Sequence, residues 1–82
     1  MPKERYDFDA EAFHRRLGGV IWGIRNQRGL TQKQLAGSSR LSSQYLGNLE
    51  RGTVNASVDS LLRVCKALSI PLSELILRAE AD

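Results

Sequence analysis

A single cysteine, Cys65, rules out an intramolecular disulfide and a cysteine-rich zinc site in this chain of 82 residues. It falls on an apolar stripe with Leu61, Val64 and Leu68 and is expected as a buried structural thiol. The one histidine, His14, has no neighbour at metal-ligand spacing and reads as a surface residue, so no metal is expected. Apolar runs reach only a few residues and the first eleven residues, MPKERYDFDAE, are charged. Neither a membrane span nor a signal peptide is therefore expected, and the chain is placed in the cytoplasm. Clustered acid–base pairs and a phosphate-cradling glycine loop are lacking too, which leaves an enzyme without candidate chemistry and gives no sign of a cofactor. At this length one domain is expected, residues 1–82, with no room for a separate ligand-sensing domain.

What is present is positive charge, unevenly spread. The net charge is only +3, but residues 15 to 66 hold nine Lys or Arg against two acidic residues, a local +7. The two outer segments hold three basic and seven acidic residues, a local −4, and about residues 1–9 form a charged extension. A basic block of this kind favours a polyanion through counterion release.

Apolar periodicity predicts five helices and no strands, an all-α chain. The first is expected after Asp9 as N-cap and runs to about Arg28, with Phe13, Leu17, Ile21 and Ile24 inward and Gly29 at its end. Gly18, Gly19 and Gly23 lie inside it and each costs roughly 0.5–1 kcal/mol relative to Ala, so packing must hold this helix. Thr31 caps a second helix with Leu35 and Ala36 on its buried stripe, and Ser42 caps a third built on Leu46 and Leu49. A fourth spans about Val58 to Leu68 behind Ser57, and a fifth about Leu72 to Arg78, entered through Pro71.

Residues 31–52, TQKQLAGSSRLSSQYLGNLERG, thus read as two short helices across a tight turn. The second leaves a face of Ser43, Gln44, Gly47, Asn48 and Arg51, which are hydrogen-bonding, small or cationic groups suited to base edges and phosphates in a major groove. Double-stranded DNA is the expected partner.

The run Ile24-Arg25, Gly29-Leu30-Thr31-Gln32, Leu35-Ala36, Tyr45-Leu46 and Leu49-Glu50-Arg51-Gly52 resembles the helix-turn-helix family of Cro and the lambda-type phage repressors. Residues 55–62 and 66–68 resemble that family's fourth helix and its lead-in, so the likeness covers about residues 17 to 76. It implies a five-helix lambda-repressor-like DNA-binding domain with the motif at helices 2 and 3. Carried over position by position, it implies that Ser43, Gln44, Gly47 and Asn48 read bases, with Gln44 best suited to a bidentate contact with adenine. Gln32, Arg40, Tyr45 and Arg51 are then expected at phosphates, although packing of the Tyr45 ring beside Leu46 is an equal alternative. The same likeness pairs Arg25 with Glu50, an ion pair that ties helix 1 to helix 3.

Three positions depart from the family's pattern. Arg40 stands where the turn usually has glycine, so a positive φ there costs on the order of 1 kcal/mol or the turn differs. Gly47 is either sequence drift or a means of closer approach to DNA. Trp22 replaces a polar side chain and is either half-buried or part of a partner interface.

One recognition helix covers too few base pairs to pick out a genomic site, so a homodimer on a palindromic operator is expected. Its seam is assigned to helix 5, where Leu72, Leu75, Ile76 and Leu77 lie on more than one face. A transcription regulator of repressor type fits these features, and the alternative is an antitoxin that uses the same fold to bind DNA and a toxin.

Overall fold

The computed structural model describes residues 8–81, so most of the charged N-terminal extension lies outside the described residues. Five helices follow in order: α1 (Ala10–Gln27), α2 (Gln32–Ser39), α3 (Ser43–Arg51), α4 (Val58–Leu68) and α5 (Leu72–Glu80). No strand occurs among the described residues. None of these helices is long and apolar enough to cross a membrane.

Helix starts follow the capping chemistry of the sequence. Asp9, Thr31, Ser42 and Ser57 each sit in extended backbone and accept a hydrogen bond from a first-turn amide, at 3.0–3.1 Å. Such a cap satisfies one of the amides a helix leaves without an internal partner and is worth about 1 kcal/mol. At α2 the cap is reciprocal, because the Thr31 amide donates to Gln34 Oε1 at 2.8 Å. Only α5 begins without a side-chain cap, at Pro71. It ends at Glu80, two residues beyond the expected Arg78, with an Arg78–Glu74 ion pair across its last turns.

The ends of α2, α3 and α4 turn through the left-handed region, which frees the next amide to reach a carbonyl of the last turn. Arg40 takes it, at φ 57° and ψ 42°, and the Leu41 amide then donates to the Ala36 carbonyl at 2.9 Å. The turn is therefore built with a non-glycine residue at positive φ. Ser69 does the same after α4, at φ 59°. Gly52 combines two demands: its φ is +76°, and a Cβ there would stand 2.6 Å from the Arg15 Cα.

The core gathers Leu17, Ile21 and Ile24 of α1, Leu35 and Ala36 of α2, Leu46 and Leu49 of α3, Leu61, Val64, Cys65 and Leu68 of α4, and Leu75 and Ala79 of α5. Phe13, expected inward, is only half-buried; its ring packs 5.7 Å from that of Phe8, with the Arg16 guanidinium 6.0 Å away. α1 packs on α3 and α5, while α2 packs on α3 and α4. Arg16 fastens the first of these layers, donating from Nε to the Ala79 carbonyl at 2.8 Å.

α1 crosses α3 at Gly18. A Cβ on that residue would lie 2.3 Å from the Glu50 carbonyl oxygen and 2.4 Å from that of Leu49. By contrast, Gly19 and Gly23 face open space. Of the three glycines inside α1, one is thus required by packing.

Candidate nucleic-acid interface

α3 is amphipathic because its apolar residues recur at helical spacing. Leu46 and Leu49 are buried in the core, and Ser43, Gln44 and Arg51 are exposed on the other side. No carboxylate lies on that outer face. The one acidic residue of α3, Glu50, is turned inward and buried.

Glu50 is the fixed point of the motif. Arg25 grips its carboxylate with both prongs, Nε to Oε2 at 2.7 Å and Nη2 to Oε1 at 3.0 Å, and both residues are only 7% exposed. The remaining Arg25 nitrogen, Nη1, donates to the Leu30 carbonyl at 2.8 Å, and Gln32 Nε2 donates to Glu50 Oε1 at 3.0 Å. One carboxylate therefore joins α1, the start of α2 and the end of α3. Hydrogen bonding to Glu50 raises the Arg25 pKa, its burial opposes this, and the charge of Glu50 reinforces it. A planar fork on a carboxylate fixes orientation as well as distance, which a lysine would not.

The expected site residues differ in exposure and in their partners. Ser43 and Gln44 stand exposed, with no side-chain hydrogen bond among the described residues. Asn48 is half-buried and accepts from Arg51 through its Oδ1, so these two side chains brace each other one turn apart. Gly47 departs from the open position expected of it. It is buried, and the Arg51 and Gln32 side chains reach 3.4–3.6 Å from where its Cβ would be. Arg40 is exposed in the turn; Tyr45 is half-buried, its ring packed against the core. Gln32 opens α2 as expected, yet one of its amide hydrogens is already committed to Glu50.

The seam assigned to α5 needs correction at Leu75. That residue is 0% exposed, packed into the core of its own chain, and offers no surface to a second copy. Leu72 and Ile76 are half-buried, and Leu77 stands out at 66% exposure. Sequence periodicity alone could not divide these four, because α5 is too short for its apolar stripe to be told from its rim. On α4, Val58 and Leu62 are exposed one turn apart, a pair that sequence reading passed over. Trp22 is exposed, and its carbonyl accepts from Asn26 Nδ2 at 2.8 Å. Cys65 is buried as expected, and burial pushes its thiol pKa up.

The sequence that builds these two capped helices, the turn and the buried arginine–glutamate tie matches a helix-turn-helix family over residues 24–75. The chain belongs to the helix-turn-helix family of Cro and the lambda-type repressors. Over 63 residues it is 36% identical to the transcriptional regulator ClgR of Mycobacterium tuberculosis, covering 77% of this chain and 56% of that protein. It is 42% identical over 60 residues to the immunity repressor protein of Bacillus phage phi105, covering 73% of this chain and 42% of the other. The chain thus spans about half the length of these curated relatives. Among solved structures it resembles the restriction–modification controller protein C.Esp1396I, a tetramer in complex with its natural 35 base-pair operator, with a TM-score of 0.75, 27% identity, and coverage of 85% of this chain and 96% of that one.

Proposed function

We propose that this helix-turn-helix protein is a sequence-specific DNA-binding transcription regulator of repressor type, acting as a homodimer on a palindromic operator with α3 in the major groove. The observation that carries the reading is the outer face of α3. It presents hydrogen-bonding and cationic side chains without a carboxylate, on a helix whose orientation is held by the buried Arg25–Glu50 pair and the part-buried bond from Gln32. The basic block around it supplies the electrostatic attraction. Relatives named as a transcriptional regulator and an immunity repressor, and a structural neighbour in complex with its operator, support the same reading.

In this reading Ser43, Gln44 and Asn48 meet base edges, and Gln44 has the chemistry for adenine N6 and N7. Gly47 lets the groove wall come close, while Arg40 and Arg51 lie against phosphates and Tyr45 contributes its hydroxyl at the rim. Gln32 adds the amide hydrogen that Glu50 does not use, at the positive end of α2. The dimer seam draws on Leu77 with the rims of Leu72 and Ile76. Selection of bound sequences from a random duplex pool tests the proposal. A palindromic site is expected, with half-sites about one helical turn apart, and a pool without sequence enrichment would overturn it.

A further inference from the structure

An open cleft of about 500 Å³ lies between the end of α2 and α4, lined by Ser38, Ser39, Arg40, Arg63, Lys66 and Ala67. Three of its six lining residues are cationic and none is acidic. The Arg40 and Lys66 side chains are exposed and have no ion pair or hydrogen bond among the described residues. Arg63 is held loosely. Its Nη2 lies 2.7 Å from Asp59 Oδ2 in an exposed pair one turn back on α4, and its Nη1 reaches the Arg40 carbonyl at 3.4 Å. Exposed pairs of this kind add little stability, so the guanidinium can be redirected at small cost.

Ser39 lines the same cleft but is only 1% exposed, and its Oγ has no hydrogen-bond partner among the described residues. With almost no accessible surface on that oxygen, Ser39 forms part of the cleft floor and the three cations carry the site.

We propose that this cleft binds a phosphoryl group. The Arg40 and Arg63 forks can each take two oxygens, Lys66 adds a mobile point charge, and the hydroxyl of the exposed Ser38 can donate to what remains. The last carbonyls of α2 place roughly half a negative charge at this end, which the three cations outweigh. The cleft is of the size that holds small molecules, about 300–1,000 Å³, and exceeds what bare phosphate fills. The phosphoryl group belongs either to a free phosphorylated small molecule or to the backbone of duplex DNA. Because Arg40 is the left-handed residue between α2 and α3, a ligand held by Arg40 and α4 also stiffens the turn that sets the tilt of α3.

The experiment is a titration of ¹⁵N-labelled protein with inorganic phosphate at constant ionic strength, followed by amide shifts, for the parent and for Arg63→Gln/Lys66→Gln. Both replaced side chains are exposed, and Lys66→Gln alone serves if the double variant does not fold. Saturable shifts confined to residues 38–41 and 59–67 are expected, with affinity lowered roughly tenfold or more in the variant. This arm needs no DNA, so it stands or fails apart from the proposed function. A duplex taken from the selected pool then separates the sources. Displacement of phosphate by the duplex, with the salt slope of binding reduced by about two in the double variant, assigns the group to the DNA backbone. Simultaneous binding, with duplex affinity unchanged in the variant, assigns it to a free phosphorylated ligand. Shifts that do not saturate, that chloride reproduces at the same ionic strength, or that persist undiminished in the variant would overturn the site.

Discussion

Gly18→Ala should damage the fold, although alanine is the better helix former. The added Cβ would lie 2.3 Å from the Glu50 carbonyl oxygen, 0.7 Å inside the 3.0 Å that real Cβ atoms essentially never breach, and its other close neighbours are also α3 backbone. Backbone cannot rotate away, so α3 must retreat from α1 and take Glu50 with it, away from Arg25. Overpacking of this kind costs about 1–3 kcal/mol and occasionally more, the strained ion pair adds to that, and improved helix propensity returns only about 0.5–1 kcal/mol. A net loss of about 2–3 kcal/mol corresponds to a drop in Tm of about 8–24 °C for a domain of this size. Gly19→Ala is the matched control. With nothing within 4 Å of its Cβ, it should gain about 0.5–1 kcal/mol from propensity alone. Thermal and urea unfolding followed by circular dichroism measures both. If Gly18→Ala melted at or above the parent, or if Gly19→Ala lost as much as Gly18→Ala, the close crossing of α1 and α3 would not be the reason for glycine.

Arg25→Ala and Glu50→Ala should each lose about 3–5 kcal/mol, because each strands a buried charge, and the double variant should lose less than their sum; additive losses in urea unfolding would mean that the pair is not coupled. Gly47→Ala should stabilise the helix by about 0.5–1 kcal/mol, since its Cβ meets neighbours only at ordinary contact distance. Weaker DNA binding by that stabilised variant would assign Gly47 to close approach, whereas unchanged affinity would assign it to drift. Gln44→Ala should relax preference at one base pair per half-site, a loss of about 1–3 kcal/mol of discrimination, while Gln32→Ala weakens all sequences alike; identical site logos for Gln44→Ala and the parent would remove Gln44 from base reading. Leu77→Lys should shift a micromolar dimer toward monomer in light scattering, and a parent that is itself monomeric with and without DNA would reject the seam.

Features that depend on a few consecutive residues were open to sequence reading. The caps at Asp9, Thr31, Ser42 and Ser57 are short polar side chains just ahead of an apolar stripe, and their hydrogen bonds close within three residues. The reciprocal cap at Gln34 had the same local signature, Thr followed three residues later by Gln, and was passed over. The Arg25–Glu50 tie spans 25 positions and was reached only through family resemblance. Nothing local distinguishes Gly18 from Gly19, because the difference is made by carbonyls of α3 some thirty residues away. Ser69 has no glycine to announce its left-handed turn, and the burial of Leu75 is decided by α5 docking on α1. Apart from the Gln34 cap, what escaped was the long-range geometry.

The isolation of Ser43 and Gln44 from the rest of the molecule has an evolutionary consequence. Their side chains carry no hydrogen bond to the scaffold among the described residues, while Leu46, Leu49 and Glu50 on the inner side hold α3 in place. Replacing the outer pair therefore spends little of the domain's narrow stability margin, usually within about ±0.5 kcal/mol for an exposed position. Under the proposed reading of bases by this face, a lineage built on this frame can drift to new operators one outward side chain at a time at little cost to the fold.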